Sequence, residues 1–181
     1  MRILLAGLLG GIAMYVWSTV AHVATPLGTI GISTLPDEQV TMNALAASIV
    51  EQRGLFLFPA PRQGAPVAGA PTEGPFGLLV YRPHARYALN PANLIIEFLT
   101  ELAETMIAAL LLSFVALSGY AARVGFVVLV GVTAAITTNL PYWNWYGFPT
   151  NYTLVYSFIE VVGYLAAGLV IAWLLPKRIE A

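Results

Sequence analysis

The sequence predicts an all-α membrane protein, a four-transmembrane-helix bundle with a small α+β periplasmic insertion between helices 1 and 2. The chain of 181 residues is 59% hydrophobic and only 9% charged, whereas soluble domains carry about 25% charged residues. It contains four apolar stretches close to the roughly 20 residues that a membrane-spanning helix needs. The segment between the first and second stretches is long and polar enough to fold outside the bilayer.

The first stretch is the only one that could be read as something other than a retained helix. In chain order we assign the spans to residues 1–23, 93–118, 122–140 and 152–175. Met1 and Arg2 precede an apolar core, as in a secretory signal, but the small residues near Ala21 and Ala24 fit the cleavage pattern poorly. We therefore expect a retained transmembrane helix.

Basic residues near the helix ends predict the orientation. They are Arg2, Arg123, Lys177 and Arg178. Because all of them fall on one side of the bundle, the positive-inside rule assigns that side to the cytoplasm. We expect a multi-pass protein of the bacterial inner (cytoplasmic) membrane with both termini cytoplasmic.

The periplasmic insertion covers residues 24–92. Thr34 is a plausible N-cap for a short helix, and two β-prone runs follow it, separated by a Pro, Gly and Ala-rich stretch. The predicted elements are a helix over 36–52 and a hairpin with strands 54–59 and 76–82. A segment of this size has little core of its own, so we expect it to rest on the bundle or on a partner.

The second span contains three carboxylates, and these are the residues in the chain that say most about function. Glu97, Glu101 and Glu104 are spaced so that they share one face of a helix. Intramembrane carboxylates are expensive and mark functional-site hypotheses by default. Depths counted at about 1.5 Å per residue bring residues of all four helices together in an intramembrane polar layer. It comprises Ser18, His22, Glu97, Glu101, Glu104, Thr137 and Glu160.

Apart from Arg2 and Arg123 at the cytoplasmic edge, the spans contain no lysine or arginine that could pair with these carboxyls. Desolvation and like charge both disfavour an ionised carboxylate, so we expect Glu104 and Glu160 to be uncharged. The polar layer has three interpretations: interhelical hydrogen bonding, proton or cation handling, or a metal site formed by His22, Glu101 and Glu104. No cofactor is required, although His22 could ligate the metal of a haem or chlorin.

The connection between the last two spans is uncharged and rich in aromatic residues. Its rings belong to Tyr142, Trp143, Trp145, Tyr146 and Phe148. Such a cluster is typical of the aromatic belt at a membrane interface. Rigid aromatic side chains are also favoured as anchors of protein interfaces, so a docking surface for a partner is the alternative.

Several functional classes are excluded. The net charge of −1 provides no basic surface for nucleic acid. The absence of cysteine excludes disulfides, thiolate metal sites and a cysteine nucleophile. No P-loop, dinucleotide, HExxH or G-x-S-x-G motif is present, and no catalytic residue is predicted.

Three parts of the chain resemble a group of small uncharacterised bacterial four-span inner-membrane proteins. They are WSTVAH at 17–22, GLFLFP at 54–59 with GPFGLLVYR at 74–82, and NLPYWNWYGFPTNYT at 139–153. The resemblance implies the topology and a bacterial origin, and it brings no activity, cofactor or site residue with it.

From these features we expect a non-enzymatic accessory or assembly subunit that docks on a larger membrane complex, or a homo-oligomer. The alternative is a small proton-linked transporter or membrane enzyme that uses Glu101, Glu104 and Glu160. The lipid bilayer is the partner that the composition itself requires.

Overall fold

The computed structural model describes residues 1–49, 51–59, 74–84 and 90–175 and is mostly helical. Its elements in chain order are α1 (Arg2–Thr19), continued by a π-helical turn (Val20–Ala24) and a 3₁₀ turn (Pro26–Thr29), α2 (Glu38–Ile49), β1 (Gly54–Phe58), β2 (Gly77–Tyr81), α3 (Pro91–Phe114), α4 (Tyr120–Tyr146) and α5 (Thr150–Leu174). Two compact units contain these elements, one with α1, α3, α5 and most of α4, the other with α2 and the strands. Lys177 and Arg178, used above to predict the orientation, lie outside the described residues.

Three segments of the described chain are long and apolar enough to cross a membrane. They are Arg2–Ala24, Tyr120–Tyr146 and Thr150–Leu174. Their length and hydropathy indicate a membrane-embedded protein. The remaining predicted span, 93–118, corresponds to α3. This helix has 24 residues but differs from the other three in carrying three glutamates.

Helix α1 lies between α3 and α5 and contacts both. Its glycines allow the close approach, because a Cβ atom on Gly11 would come within 2.9 Å of the Thr105 hydroxyl and 3.1 Å of Leu102 Cα in α3. The Thr105 hydroxyl also donates a hydrogen bond of 3.0 Å to the backbone oxygen of Gly7. Small residues at a helix interface are the usual means of close packing in membrane bundles.

Helix α4 joins this group through α5. Gly131 of α4 faces the ring of Tyr164 so closely that a Cβ atom would come within 2.5 Å of it. At the other end, the guanidinium of Arg123 is buried and donates to the backbone oxygen of Leu175 at 2.8 Å. A charge-assisted bond of this kind satisfies one of the carbonyls that a helix C-terminus leaves unpaired.

The ends of α3 and α4 follow local sequence signals. The Asn90 side chain accepts a hydrogen bond from the Ala92 amide at 3.0 Å, and Pro91 occupies the first turn, where a proline is favoured because its missing N–H needs no partner. Helix α4 is longer than the predicted span of 122–140, because it continues through Pro141 to Tyr146. Gly147, with a φ of 70°, then ends it in the left-handed conformation that favours glycine. The aromatic segment is therefore partly helical rather than one long turn.

The second unit contains α2 and the antiparallel pair β1 and β2, in which Gly54 pairs with Tyr81 and Phe58 with Gly77. This small two-stranded sheet lies within the two runs that were predicted to form a hairpin. Helix α2 begins later than the predicted 36–52, because Asp37 rather than Thr34 caps it, accepting the Val40 amide at 3.3 Å. No residue of α2 is buried, so this helix adds no core of its own.

Candidate functional site

A partly open cavity of about 460 Å³ lies among α1, α3, α4 and α5, within the first of the two units. Its volume is within the range of about 300–1,000 Å³ that is typical of small-molecule sites. The lining residues are Met14, Trp17, Ser18, His22, Glu97, Thr100, Glu101, Glu104, Thr138, Asn139, Tyr142, Phe148, Tyr152, Tyr156, Ile159, Glu160 and Gly163. Four of these are glutamates, and the described lining includes no lysine or arginine.

Glu101 is the most buried carboxylate of the cavity. It is only 6% exposed and lies beside Ser18 of α1. Its Oε2 atom has no hydrogen-bond partner among the described residues. A buried carboxylate oxygen is normally satisfied by a protein group or by water, so this atom has an unmet hydrogen-bonding requirement among the described residues.

Glu104 and Glu160 are held by neighbours on other helices. The Tyr164 hydroxyl of α5 donates to Glu104 Oε2 at 3.3 Å. The Asn139 side-chain amide of α4 donates to Glu160 Oε2 at 3.0 Å and also to the backbone oxygen of Ala135 at 3.1 Å. Glu104 is thus tied to α5 and Glu160 to α4, and both side chains line the same cavity.

Aromatic rings form another part of the wall. Tyr142 and Phe148 have ring centroids 5.2 Å apart, Phe148 and Tyr152 are at 5.5 Å, and Tyr152 stacks on Tyr156 at 4.1 Å. The His22 ring meets Tyr156 edge to face at 5.6 Å. These separations are those of favourable aromatic pairs, so the rings support one another in a continuous series.

Helix α1 supplies the remaining side of the cavity through its last turns. The Trp17 indole donates to the backbone oxygen of Ile159 at 2.8 Å, which fixes α1 against α5. His22 lies in the π-helical turn and its Nδ1 donates to the backbone oxygen of Ser18 at 2.9 Å. π-helical turns are rare and frequently occur at functional sites.

The structure brings most members of the predicted polar layer to this cavity. Those that line it are Ser18, His22, Glu97, Glu101, Glu104 and Glu160. Thr137 does not line it, since its side chain is exposed and its hydroxyl donates to the backbone oxygens of Thr133 and Ala134. Depth along the helix placed Thr137 at the right height, but its direction around the helix axis differs from that of Thr138 and Asn139, which do line the cavity.

The sequence analysis did not single out several residues of the site. Asn139 and Tyr164 hold the glutamates, while Trp17 and Tyr152 complete the wall. Asn139 was detectable, since it lies near the predicted depth of the polar layer and amides are common interhelical hydrogen-bonding groups. Tyr164 gave no such signal, because a tyrosine near small residues in a span is equally compatible with plain packing.

The metal-site alternative is not met by the geometry. Among the described residues, no three His, Asp or Glu side chains are placed to hold one metal ion. His22, Glu101 and Glu104 line the cavity without converging on a single point of ligation. The prediction that His22 ligates a haem or chlorin metal has no further support in the site.

Only some of the rings predicted to dock a partner lie in the cavity wall, and the others are exposed. Tyr142 and Phe148 line the cavity. Trp143 is exposed and donates through its indole to the Thr150 hydroxyl at 3.1 Å. Trp145 is 73% exposed, and Tyr146 is also exposed.

Comparisons of the chain with protein-family models, with curated proteins and with solved structures give no match. The class of protein therefore follows from the fold itself: a helical, membrane-embedded protein with a glutamate-lined and aromatic-lined cavity among its long helices.

Proposed function

We propose that α3 is a fourth membrane crossing and that both chain termini lie in the cytoplasm of a bacterial cell. At 1.5 Å per residue the helix is about 36 Å long, enough for a hydrocarbon core of about 30 Å. Its exposed face is apolar, with Leu94, Ile95, Ile96, Leu99, Ile107, Leu110, Leu111 and Phe114. Its three glutamates line the cavity, although Glu97 is also exposed, and this common placement favours a crossing.

The absence of cysteine makes this topology directly testable. Single cysteines replace Thr29, which follows α1, and Ser118, which follows α3. A membrane-impermeant maleimide added to whole spheroplasts is expected to label Thr29→Cys, and Ser118→Cys only after permeabilisation. If Ser118→Cys is labelled as readily as Thr29→Cys in intact spheroplasts, α3 does not cross.

We further propose that the protein is a small proton-linked transporter that exchanges a cation for protons at the cavity. The observation that carries this proposal is Glu101, a buried carboxyl with an oxygen that no described group satisfies, in a cavity whose described lining offers no lysine or arginine. Carboxylate chains of this kind are the usual material of membrane proton relays. A carboxyl that releases its proton as a cation arrives keeps the net charge of the site unchanged, which avoids burying an isolated charge.

Exchange is measurable in proteoliposomes that contain the pH indicator pyranine. An inward gradient of benzyltrimethylammonium, K⁺ or Mg²⁺ is applied in turn, and the expected result for at least one is a rise in internal pH as protons leave. Protons and cation compete for the same carboxyls, so uptake is expected to weaken as pH falls. The other titratable groups facing Glu101 around the cavity are Glu97 and Glu104 of α3, His22, and Glu160, Tyr152 and Tyr156 of α5, with Tyr142 of α4.

Glu101→Gln tests whether this carboxyl is the exchange site, because it keeps the shape and removes the titratable proton. The matched control is Glu38→Gln, an exposed glutamate at the start of α2 that does not line the cavity. Loss of exchange in Glu101→Gln together with normal exchange in Glu38→Gln supports the proposal. Internal pH that stays constant with all three cations, in vesicles that contain folded protein, refutes it.

A second candidate is the accessory or assembly subunit, and one specific observation favours it. Trp143 and Trp145 expose their rings at the end of α4, with Trp145 at 73%. A photo-crosslinking residue at position 145 is expected to form one discrete protein adduct in native membranes, while the same residue at Leu129, an exposed position in the middle of α4, captures only lipid. A lipid-only pattern at both positions assigns the tryptophans to an interfacial belt and refutes docking.

A further inference from the structure

The cavity combines two kinds of wall, carboxylates and aromatic rings, and their combination points to one class of ligand. We infer that it binds a substituted ammonium ion, that is, a protonated amine or quaternary ammonium group that carries an apolar body. This inference rests on the proposed cation site and names the ligand class of that site. It does not depend on whether binding is coupled to proton movement.

The carboxyl oxygens of the lining favour a cation that is also surrounded by acceptor groups. Glutamates from two helices, α3 and α5, reach the cavity, and its described lining contains no lysine or arginine to neutralise them. An acidic cluster alone would not define a site. Glu101 adds an independent observation, since it is only 6% exposed and its Oε2 atom lacks a partner among the described residues. An ammonium group in the cavity would be a counter-ion for this carboxyl group, whose side chain lines the cavity.

The aromatic wall selects for an organic cation. Tyr152 and Tyr156 stack at 4.1 Å, and Phe148 meets Tyr152 at 5.5 Å, so several rings border the space that the carboxylates border. A cation within about 6 Å of a ring centroid is attracted by the ring quadrupole, and aromatic cages for quaternary ammonium groups use this effect. The same rings also provide apolar surface for the substituents of the ligand.

The spacing of the carboxylates does not suit a bare metal ion. Mg²⁺ and Ca²⁺ require oxygen ligands that converge at about 2.0–2.6 Å. No such group of side chains exists among the described residues, and the space of about 460 Å³ is far larger than one ion needs. A substituted ammonium spreads its charge over several carbon atoms, so carboxylates distributed around a larger cavity can all interact with it.

Two sources supply this chemistry in a membrane: a soluble amine, and the ammonium head group of phosphatidylethanolamine. The experiment therefore uses the full-length protein in nanodiscs of phosphatidylglycerol alone, and in nanodiscs that also contain phosphatidylethanolamine. The probe is radiolabelled benzyltrimethylammonium in equilibrium dialysis. The competitors are choline, its uncharged carbon isostere dimethylbutanol, K⁺ and Mg²⁺.

We expect saturable binding that choline displaces and dimethylbutanol does not. Glu101→Gln is expected to weaken binding roughly tenfold or more, because it removes a charge-assisted contact. Tyr152→Leu keeps all four carboxylates and removes one ring, so a loss of roughly three- to tenfold is expected from the cation–π contribution. Glu38→Gln is the control, with unchanged affinity.

The outcomes separate the ligand class from the proposed transport. The inference is overturned if choline and dimethylbutanol displace the probe equally well, or if only K⁺ or Mg²⁺ displaces it. It is also overturned if Glu101→Gln binds the probe with full affinity. Proton exchange driven by K⁺ or Mg²⁺ without ammonium binding would leave the transporter proposal standing and refute this one. Ammonium binding without proton exchange would support this inference and refute the transporter proposal. Equal affinity in both nanodiscs assigns the site to soluble amines, and competitive weakening by phosphatidylethanolamine assigns it to the lipid head group.

Discussion

The contact between α1 and α3 can be tested by adding one methyl group at Gly7. A Cβ atom at this position would lie 2.9 Å from Met106 Cα, whereas ordinary contact begins near 3.4 Å. The obstacle is backbone, so the two helices must separate by about 0.5 Å, the difference between these two distances. Overpacking of this kind typically costs about 1–3 kcal/mol. Separation also strains the 3.0 Å hydrogen bond from Thr105 to the Gly7 backbone oxygen, which is worth about 0.5–1.5 kcal/mol.

Alanine is also intrinsically more favourable than glycine in a helix. A matched variant measures this effect separately. Glycine in a helix interior is less favourable than alanine by about 0.8–1 kcal/mol. At Gly125 of α4, the position that an added methyl group would take has no neighbouring atom within 4 Å, so Gly125→Ala is expected to gain this amount without a clash. Gly7→Ala is expected to lower the unfolding free energy by about 0.5–3.5 kcal/mol once overpacking, hydrogen-bond strain and helix propensity are combined.

The assay is reversible unfolding in mixed micelles by increasing the fraction of sodium dodecyl sulfate, followed by tryptophan fluorescence. The quantity compared is the difference in unfolding free energy between Gly7→Ala and Gly125→Ala, in which the helix-propensity gain cancels, and it is expected to be about 1.5–4.5 kcal/mol. If both variants are equally stable, α1 and α3 are not in close backbone contact at Gly7. The α1 side of the cavity would then be wrongly placed as well.

Three further predictions use the same unfolding assay. Glu101→Leu removes a buried carboxylate oxygen that lacks a partner among the described residues, and it is expected to raise the unfolding free energy by about 1–2 kcal/mol. Arg123→Met removes the 2.8 Å bond to the Leu175 backbone oxygen and is expected to lower it by about 1.5–3 kcal/mol. Asn139→Ala removes the donor to Glu160 Oε2, with an expected loss of about 1–2 kcal/mol.

Exposed residues of the same types in α2 and next to the hairpin serve as controls. The control substitutions are Glu38→Leu, Arg53→Met and Asn43→Ala. Each is expected to change the unfolding free energy by no more than about 0.5 kcal/mol. A Glu101→Leu variant that is clearly less stable than the parent would show that this carboxyl is a structural group. Unaltered stability of Arg123→Met or Asn139→Ala would argue against the hydrogen bonds assigned to them.

The sequence was informative about this fold where one physical requirement dominates. Apolar length alone located the segments that became α1, α4 and α5, because the bilayer core sets a minimum helix length. The spacing of Glu97, Glu101 and Glu104 was enough to predict that they share a face, and all three line the cavity. Helical periodicity fixes such relationships within one helix without any knowledge of its neighbours.

Relationships between helices were less accessible to sequence reasoning. Thr137 and Asn139 are two residues apart and therefore at similar depth, yet only Asn139 reaches Glu160. The rotation of α4 about its axis decides this, and that rotation is set by packing contacts such as Gly131 against Tyr164. The start of α2 shows a local ambiguity instead, since Thr34 and Asp37 are both good capping residues and only Asp37 accepts an amide of the helix.

The position of the cavity follows from the sizes of the side chains along α1. The first half of the helix presents Gly7, Gly10 and Gly11 to its neighbours, where each would place a Cβ atom within about 3 Å of α3 or α5. The last turns present Trp17 instead, whose indole reaches the Ile159 backbone oxygen of α5. Helices that are drawn together at one end and held apart by a large ring at the other leave space between them at the wider end. Of the α3 glutamates that line this space, Glu104 accepts a hydrogen bond from Tyr164 there, whereas the glycine-packed end leaves no room for such a side chain.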